Sequence, residues 1–145
     1  MGDAGDARIV NRGFETSTTD GWQVTPLVDV LRRDVHGGRF ALRLFGDGSR
    51  AAQTITGLTP NTTYQLSVWG QVTDAADTLH IGVQVDGGLQ RESIRFTAYH
   101  QVSQTFTAGA SGTVTIFCEK QGGEGEAFCD DFTLSAVGEI APPSR

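Results

Sequence analysis

Apolar and polar residues alternate along this chain in short runs, broken by turn residues about every 8–12 positions, a spacing that predicts an all-β sandwich. The runs are Arg8–Asn11, Arg39–Phe45, Ala51–Thr56, Thr62–Gln71, Thr78–Asp86, Glu92–Thr97, Gln101–Thr107, Gly112–Glu119 and Ala127–Leu134. Between them stand Gly46-Asp47-Gly48, Thr59-Pro60-Asn61, Asp86-Gly87-Gly88 and Gly122-Gly123-Glu124-Gly125, built from residues that tolerate turn conformations. No segment carries a helical stripe, and Asp74-Ala75-Ala76-Asp77 would make one helical turn at most. The pattern predicts a single sandwich domain over residues 8–136, with 1–7 and 137–145 as disordered or linker ends.

A strand sends successive side chains to opposite faces. In Thr62–Gln71, Tyr64, Leu66 and Val68 share one face, and Gln65, Ser67 and Trp69 share the other. In Thr78–Asp86, the aliphatics at Leu79, Ile81, Val83 and Val85 leave His80, Gly82 and Gln84 opposite. In the next run Ile94 and Phe96 are expected to look inward, and Arg91, Ser93 and Arg95 outward. Together the three strands are expected to present one polar face carrying Trp, His, Gln and Arg. A solvated face seldom exposes a Trp, so this face is a candidate binding surface.

Composition narrows the class. A chain of 145 residues fits one domain, which buries roughly 68–70% of its unfolded surface and folds without metal or disulfide staples. Hydrophobic residues at 38% exclude a disordered chain, and 19 glycines with abundant threonine exclude a helical bundle. No apolar run approaches the roughly 18 residues of a membrane-spanning helix. The opening Met1-Gly2-Asp3-Ala4-Gly5-Asp6 lacks the basic and apolar regions of a signal peptide. A net charge of −6 argues against a nucleic-acid partner. Lys120 is the sole lysine; the other basic residues are arginines. Cys118 and Cys129 are too few for a four-ligand metal site and lack redox spacing. There is no G-x-S-x-G, H-E-x-x-H or P-loop. A glycosidase pair drawn from Glu15, Glu92, Glu119, Asp130 and Asp131 would have to flank a cleft at about 5–5.5 or 6.5–9.5 Å.

Several segments, taken together, resemble a known group. They are Val10-Asn11-Arg12-Gly13-Phe14-Glu15, Asp20-Gly21-Trp22, Val35-His36-Gly37-Gly38-Arg39-Phe40-Ala41-Leu42, Thr54 through Tyr64 to Trp69, and Cys129-Asp130-Asp131-Phe132-Thr133-Leu134. The pattern is similar to calcium-containing β-sandwich carbohydrate-binding modules of families 4, 16 and 22, over Ile9 to Leu134. The resemblance implies a jelly-roll, galactose-binding-domain-like sandwich of two antiparallel sheets. It implies a non-catalytic, monomeric module of a larger secreted enzyme, with a polysaccharide or oligosaccharide as partner and neither nucleic acid nor membrane. It also implies a structural calcium, with Glu15 and Asp130 as side-chain ligands and carbonyls from the region of Gly13, His36 and Arg39. Calcium takes hard oxygen donors of this kind. The residues alone also allow Glu15 to cap a turn and Asp130 to close a hairpin. The extracellular setting implied by the resemblance favours a Cys118–Cys129 disulfide, across an expected hairpin between successive strands.

Sugars offer apolar C–H faces and hydroxyl-crowded edges, so a site needs an aromatic platform ringed by polar side chains. Trp69 is the candidate platform, with Gln65, His80, Gln84, Arg91 and Glu119 around it. Trp69 as a plug of a minor core is the competing reading. Trp22-Gln23 follows a turn and is either a second sugar contact or, at Trp22, a core anchor of its loop. Two other functions stay open at this point: a small jelly-roll polysaccharide lyase or glycosidase, and a protein-binding adhesin-type sandwich.

Overall fold

The computed structural model describes residues 9–32, 38–86, 88–122 and 124–137. These form ten strands in two antiparallel sheets, the all-β sandwich that alternation predicts. The strands are β1 (Gln23–Val24), β2 (Val28–Leu31), β3 (Ala41–Leu44), β4 (Arg50–Ile55), β5 (Thr63–Val72), β6 (Thr78–Val85), β7 (Gly88–Ile94), β8 (His100–Thr107), β9 (Val114–Gln121) and β10 (Ala127–Ala136). Sheet I has the order β1-β4-β9-β6-β7 and sheet II the order β2-β3-β10-β5-β8. The expected ends, 1–7 and most of 137–145, lie outside the described residues.

The run Arg8–Asn11 is not a strand where it is described: Ile9–Gly13 is a bend followed by a turn. Gln53 of β4 holds that turn, its amide bonding both the N–H and the carbonyl of Val10. Two short strands, β1 and β2, were not among the expected runs; β1, at two residues, is too short to show alternation. Phe96 does not look inward; it lies beyond the end of β7, 55% exposed, with its ring 4.4 Å from that of His100.

The core forms where the inner faces meet. Tyr64, Leu66, Val68 and Val72 of β5 and Leu42 and Leu44 of β3 pack against Leu79, Ile81 and Val83 of β6 and Val114 and Ile116 of β9. Cys118 and Cys129 belong to this core and are free, fully buried thiols. The expected hairpin between them is absent, because β9 and β10 lie in different sheets. Burial, and then the Cys118 thiol beside it, push the Cys129 thiol well up, so it stays protonated and inert.

Two crossings between the sheets, β5 to β6 and β9 to β10, meet at one end of the molecule. Asp74–Asp77 is a turn, closed by the Asp77 N–H on the Asp74 carbonyl at 2.9 Å. Asp77, with 0% exposure, faces the Lys120 Nζ at 3.3 Å, and Lys120 also donates to the Gly122 carbonyl at 2.7 Å. The sole lysine of the chain is thus one of its fully buried charges. Deleting one partner of a buried pair strands the other charge, so Lys120→Met should cost about 3–5 kcal/mol in urea unfolding. Adding Asp77→Asn to that variant should recover part of the loss; equal midpoints for wild type and Lys120→Met would refute the pair's role.

Candidate functional site

The expected single polar face does not form, because the Asp74–Asp77 turn carries the chain from sheet II to sheet I. The candidate sugar residues therefore separate into three places. Trp69 and Gln65 stand on the outer face of sheet II. His80, Gln84, Arg91 and Glu119 stand on the outer face of sheet I, with Gln23 on its edge strand. Trp22 is 7% exposed and packs between Phe14 and Phe132, with ring centroids 5.4 and 4.8 Å away. Its indole N–H donates to the Asn11 carbonyl at 3.2 Å, so Trp22 anchors its loop in the core.

On sheet II the register sets two rows. Trp69, half-buried, stands between Gln101 of β8 and Asp130 of β10. Beside it run Gln71 of β5, Phe128 of β10, Arg43 of β3 and Asp29 of β2. Arg43 Nε and Nη2 donate to the two Asp29 carboxylate oxygens at 2.9 and 2.7 Å, and Nη1 donates to Glu126 at 2.7 Å. The guanidinium also lies 4.1 Å from the Phe45 ring centroid. The hydrogen bonds that Arg43 donates to Asp29 lead the causes that raise its pKa, so this charge is permanent. Sequence reading missed Arg43, Gln71, Gln101 and Phe128. The signal available was Arg43 itself, the one polar residue within Ala41–Leu44.

Simple alternation would put Asp130 on one face with Phe132 and Leu134. Asp130 does not stand there: a bulge between Asp130 and Thr133, with Asp131 at φ 53°, inserts one residue and reverses the alternation. Phe132 and Leu134 enter the core while Asp130, fully buried, takes the Trp69 side of the sheet. The turn at Arg12 docks on this bulge through the Phe132 N–H, which donates to the Arg12 carbonyl at 3.2 Å. Glu15 accepts the Arg39 N–H at 2.9 and 3.1 Å and the Phe40 N–H at 3.1 Å. Gly13 lies between the acidic groups: a Cβ there would be 3.4 Å from Asp131 Oδ1, 3.8 Å from Glu15 Cγ and 4.0 Å from Asp130 Oδ1. Asn11, Arg12, Gly13, Glu15, Thr16 and Asp131 line a cleft of about 460 Å³ at this end.

For a calcium ion these donors are of the apt chemical kind, being carboxylate oxygens, and those of Glu15 already accept the Arg39 and Phe40 N–H groups. Arg39 enters through its N–H on Glu15, and His36 lies outside the described residues. Among the described residues no three acidic, His or Cys side chains converge on one point, so backbone carbonyls or water would have to complete the shell.

On sheet I, His80 is fixed at both ring nitrogens, with Gln121 Oε1 2.7 Å from Nε2 and the Ser93 hydroxyl 3.0 Å from Nδ1. With an amide oxygen as its partner, Nε2 is the donor in that bond. Trp22→Ala should cost about 3–5 kcal/mol by thermal unfolding, as truncation of a core aromatic does. An unchanged midpoint would return Trp22 to the surface.

Residues 6–121 match the family described as a carbohydrate binding domain. Over 109 residues the chain is 35% identical to the keratan-sulfate endo-1,4-beta-galactosidase of Sphingobacterium multivorum, spanning 74% of this chain and 26% of that enzyme. Among solved structures it resembles TmCBM61 in complex with beta-1,4-galactotriose, with a TM-score of 0.76 at 21% identity, covering 89% of this chain and 97% of that one. It also resembles a family 16 carbohydrate binding module, with a TM-score of 0.72 at 21% identity over 88% and 98% of the two chains. The CBM22-1 xylan-binding domain from Paenibacillus barcinonensis Xyn10C follows at 0.68 and 17% identity, over 87% and 92%.

Proposed function

The chain belongs to the carbohydrate-binding domain family, and from that premise we propose that it is a non-catalytic module binding a glycan on the outer face of sheet II. The observation that carries this reading is the register that sets Trp69 beside Gln101, with Gln71 and Arg43 in the next row of the same face. Trp69 offers a ring for the apolar face of a pyranose; Gln71 and Gln101 offer amides to its hydroxyls. Arg43, clamped by Asp29 and Glu126, presents its remaining N–H donors in a fixed plane at little entropic cost. A β-linked galactose polymer is the favoured ligand class, since the curated relative and a similar solved structure are both named for β-1,4-galactose linkages. The match spans about a quarter of the relative's length, which suits a module joined to a catalytic domain of a secreted enzyme.

Trp69→Ala removes the platform while leaving the inner core intact. Affinity for a soluble β-1,4-galactan should fall about thirtyfold, the size of a ~2 kcal/mol binding anchor, with a modest change in melting temperature. Titration calorimetry beside thermal unfolding checks both halves. Normal binding by Trp69→Ala would refute this face as the site.

The proposal includes a structural calcium held by Glu15 and Asp130, next in register to Trp69. The ion would supply positive charge to a fully buried carboxylate and tie the Gly13 turn to β10. Chelation by EDTA should lower the melting temperature, and calcium should restore about 2.7 kcal/mol at a hundredfold excess over Kd. Glu15→Ala should abolish the response. Indifference to EDTA, with no metal found by elemental analysis, would remove calcium from the account.

A further inference from the structure

Sheet I carries a second row of side chains that the platform on sheet II leaves unused. Its register sets Gln23, Ala52, Phe117, Gly82 and Arg91 side by side, and Arg50, Glu119, His80 and Ser93 in the next row. Phe117 alternates with the core residues Ile116 and Cys118 and so projects outward, yet it is 2% exposed. Two neighbours explain this. Gly82 gives the ring room to lie across the sheet, because a Cβ there would be 2.9 Å from Phe117 Cζ and 2.2 Å from the Gln90 carbonyl oxygen. The Arg50 guanidinium covers it from above, 5.0 Å from the ring centroid. Arg91, the next residue beyond Gly82, is exposed.

Neither Arg50 nor Arg91 has a carboxylate partner among the described residues, whereas Arg43 has two. In a chain of net charge −6, two guanidiniums without a carboxylate partner on one sheet face, Arg50 over the Phe117 ring and Arg91 beyond Gly82, are against expectation. Stacking uses the face of a guanidinium and leaves the N–H fork at its edge free for an oxyanion. His80, held by Ser93 and Gln121, borders the row as a rigid polar wall.

We propose that the outer face of sheet I is a second glycan site, which takes an anionic sugar. The sulfate or carboxylate would sit on Arg50 and Arg91, with the buried Phe117 ring backing the Arg50 guanidinium. This inference rests on the glycan-binding reading but uses the opposite face, so the two can fail separately. The probes are a sulfated β-galactan and the same polymer after chemical desulfation, titrated calorimetrically against wild type, Trp69→Ala, and Arg50→Gln combined with Arg91→Gln. Wild type should prefer the sulfated polymer by about tenfold or more, as two charge-assisted contacts would give, and should lose the preference in high salt. The double arginine variant should lose the preference while binding the desulfated polymer as wild type does, which also shows that it is folded. Trp69→Ala should lose the desulfated polymer and keep measurable binding of the sulfated one. A double variant that retains the preference, or a wild type that binds both polymers equally, overturns the second site alone. A wild type that binds neither polymer overturns it together with the galactan reading.

Discussion

The ion pair of Asp77 with Lys120 fixes how the two sheets are joined. Both side chains are out of water, so each depends on the other, and each stands at a point where the chain changes sheet. Asp77 directly precedes β6, and Lys120 lies near the end of β9. The neighbouring bonds reinforce the junction: the Thr73 N–H donates to the Glu126 carbonyl at 2.8 Å, and the Glu126 N–H to the Thr73 hydroxyl at 2.8 Å. The loop before β4 joins in as the Gly122 N–H donates to Asp47 at 2.9 Å. A hydrophobic contact at this place would hold the crossings together without fixing their register; paired charges in a dry site allow few alternatives.

From that junction the constraint reaches the outer face of sheet II. Glu126, whose backbone closes the crossing, turns its carboxylate to Arg43 on β3. Arg43 in turn aligns with Phe128 and Gln71 beside the Trp69 row. The position of the Arg43 guanidinium is thus set by a bond made at the end of the sandwich as well as by Asp29 within the sheet.

Alternation made the inner faces legible, because one face of each strand is driven out of water whatever sheet the strand joins. Tyr64, Leu66, Val68, Leu79, Ile81 and Val83 all fall in the core as their spacing predicts. What alternation does not contain is the identity of the neighbouring strand. Trp69, His80 and Arg91 have the same outward phase, yet β5 stands in one sheet and β6 and β7 in the other. A two-residue loop would have signalled a hairpin; the longer segment between Val72 and Thr78, with an aspartate turned inward, was the available sign of a crossing. Trp22 was ambiguous for a related reason, since an indole beside a turn serves equally as anchor or as platform until its neighbours, Phe14 and Phe132, are known.

The bulge in β10 shows why the acidic end and the Trp69 row belong to one construction. Without an inserted residue, Asp130 and Phe132 would share a face, and either a carboxylate would enter the apolar core or a phenyl ring would leave it. With Asp131 in a left-handed conformation the strand slips by one, and Asp130 comes to lie beside Trp69 while Phe132 joins Phe14 and Trp22. Phe14 itself has φ 59°, an unfavourable backbone state for a bulky residue, and its full burial between Trp22 and Phe132 offsets that strain. The aromatic cluster therefore holds the Gly13 turn against the bulge, the turn brings Glu15 toward Asp130, and Asp130 stands beside Trp69. Loosening any one of these would disturb the others before it disturbed the sheets.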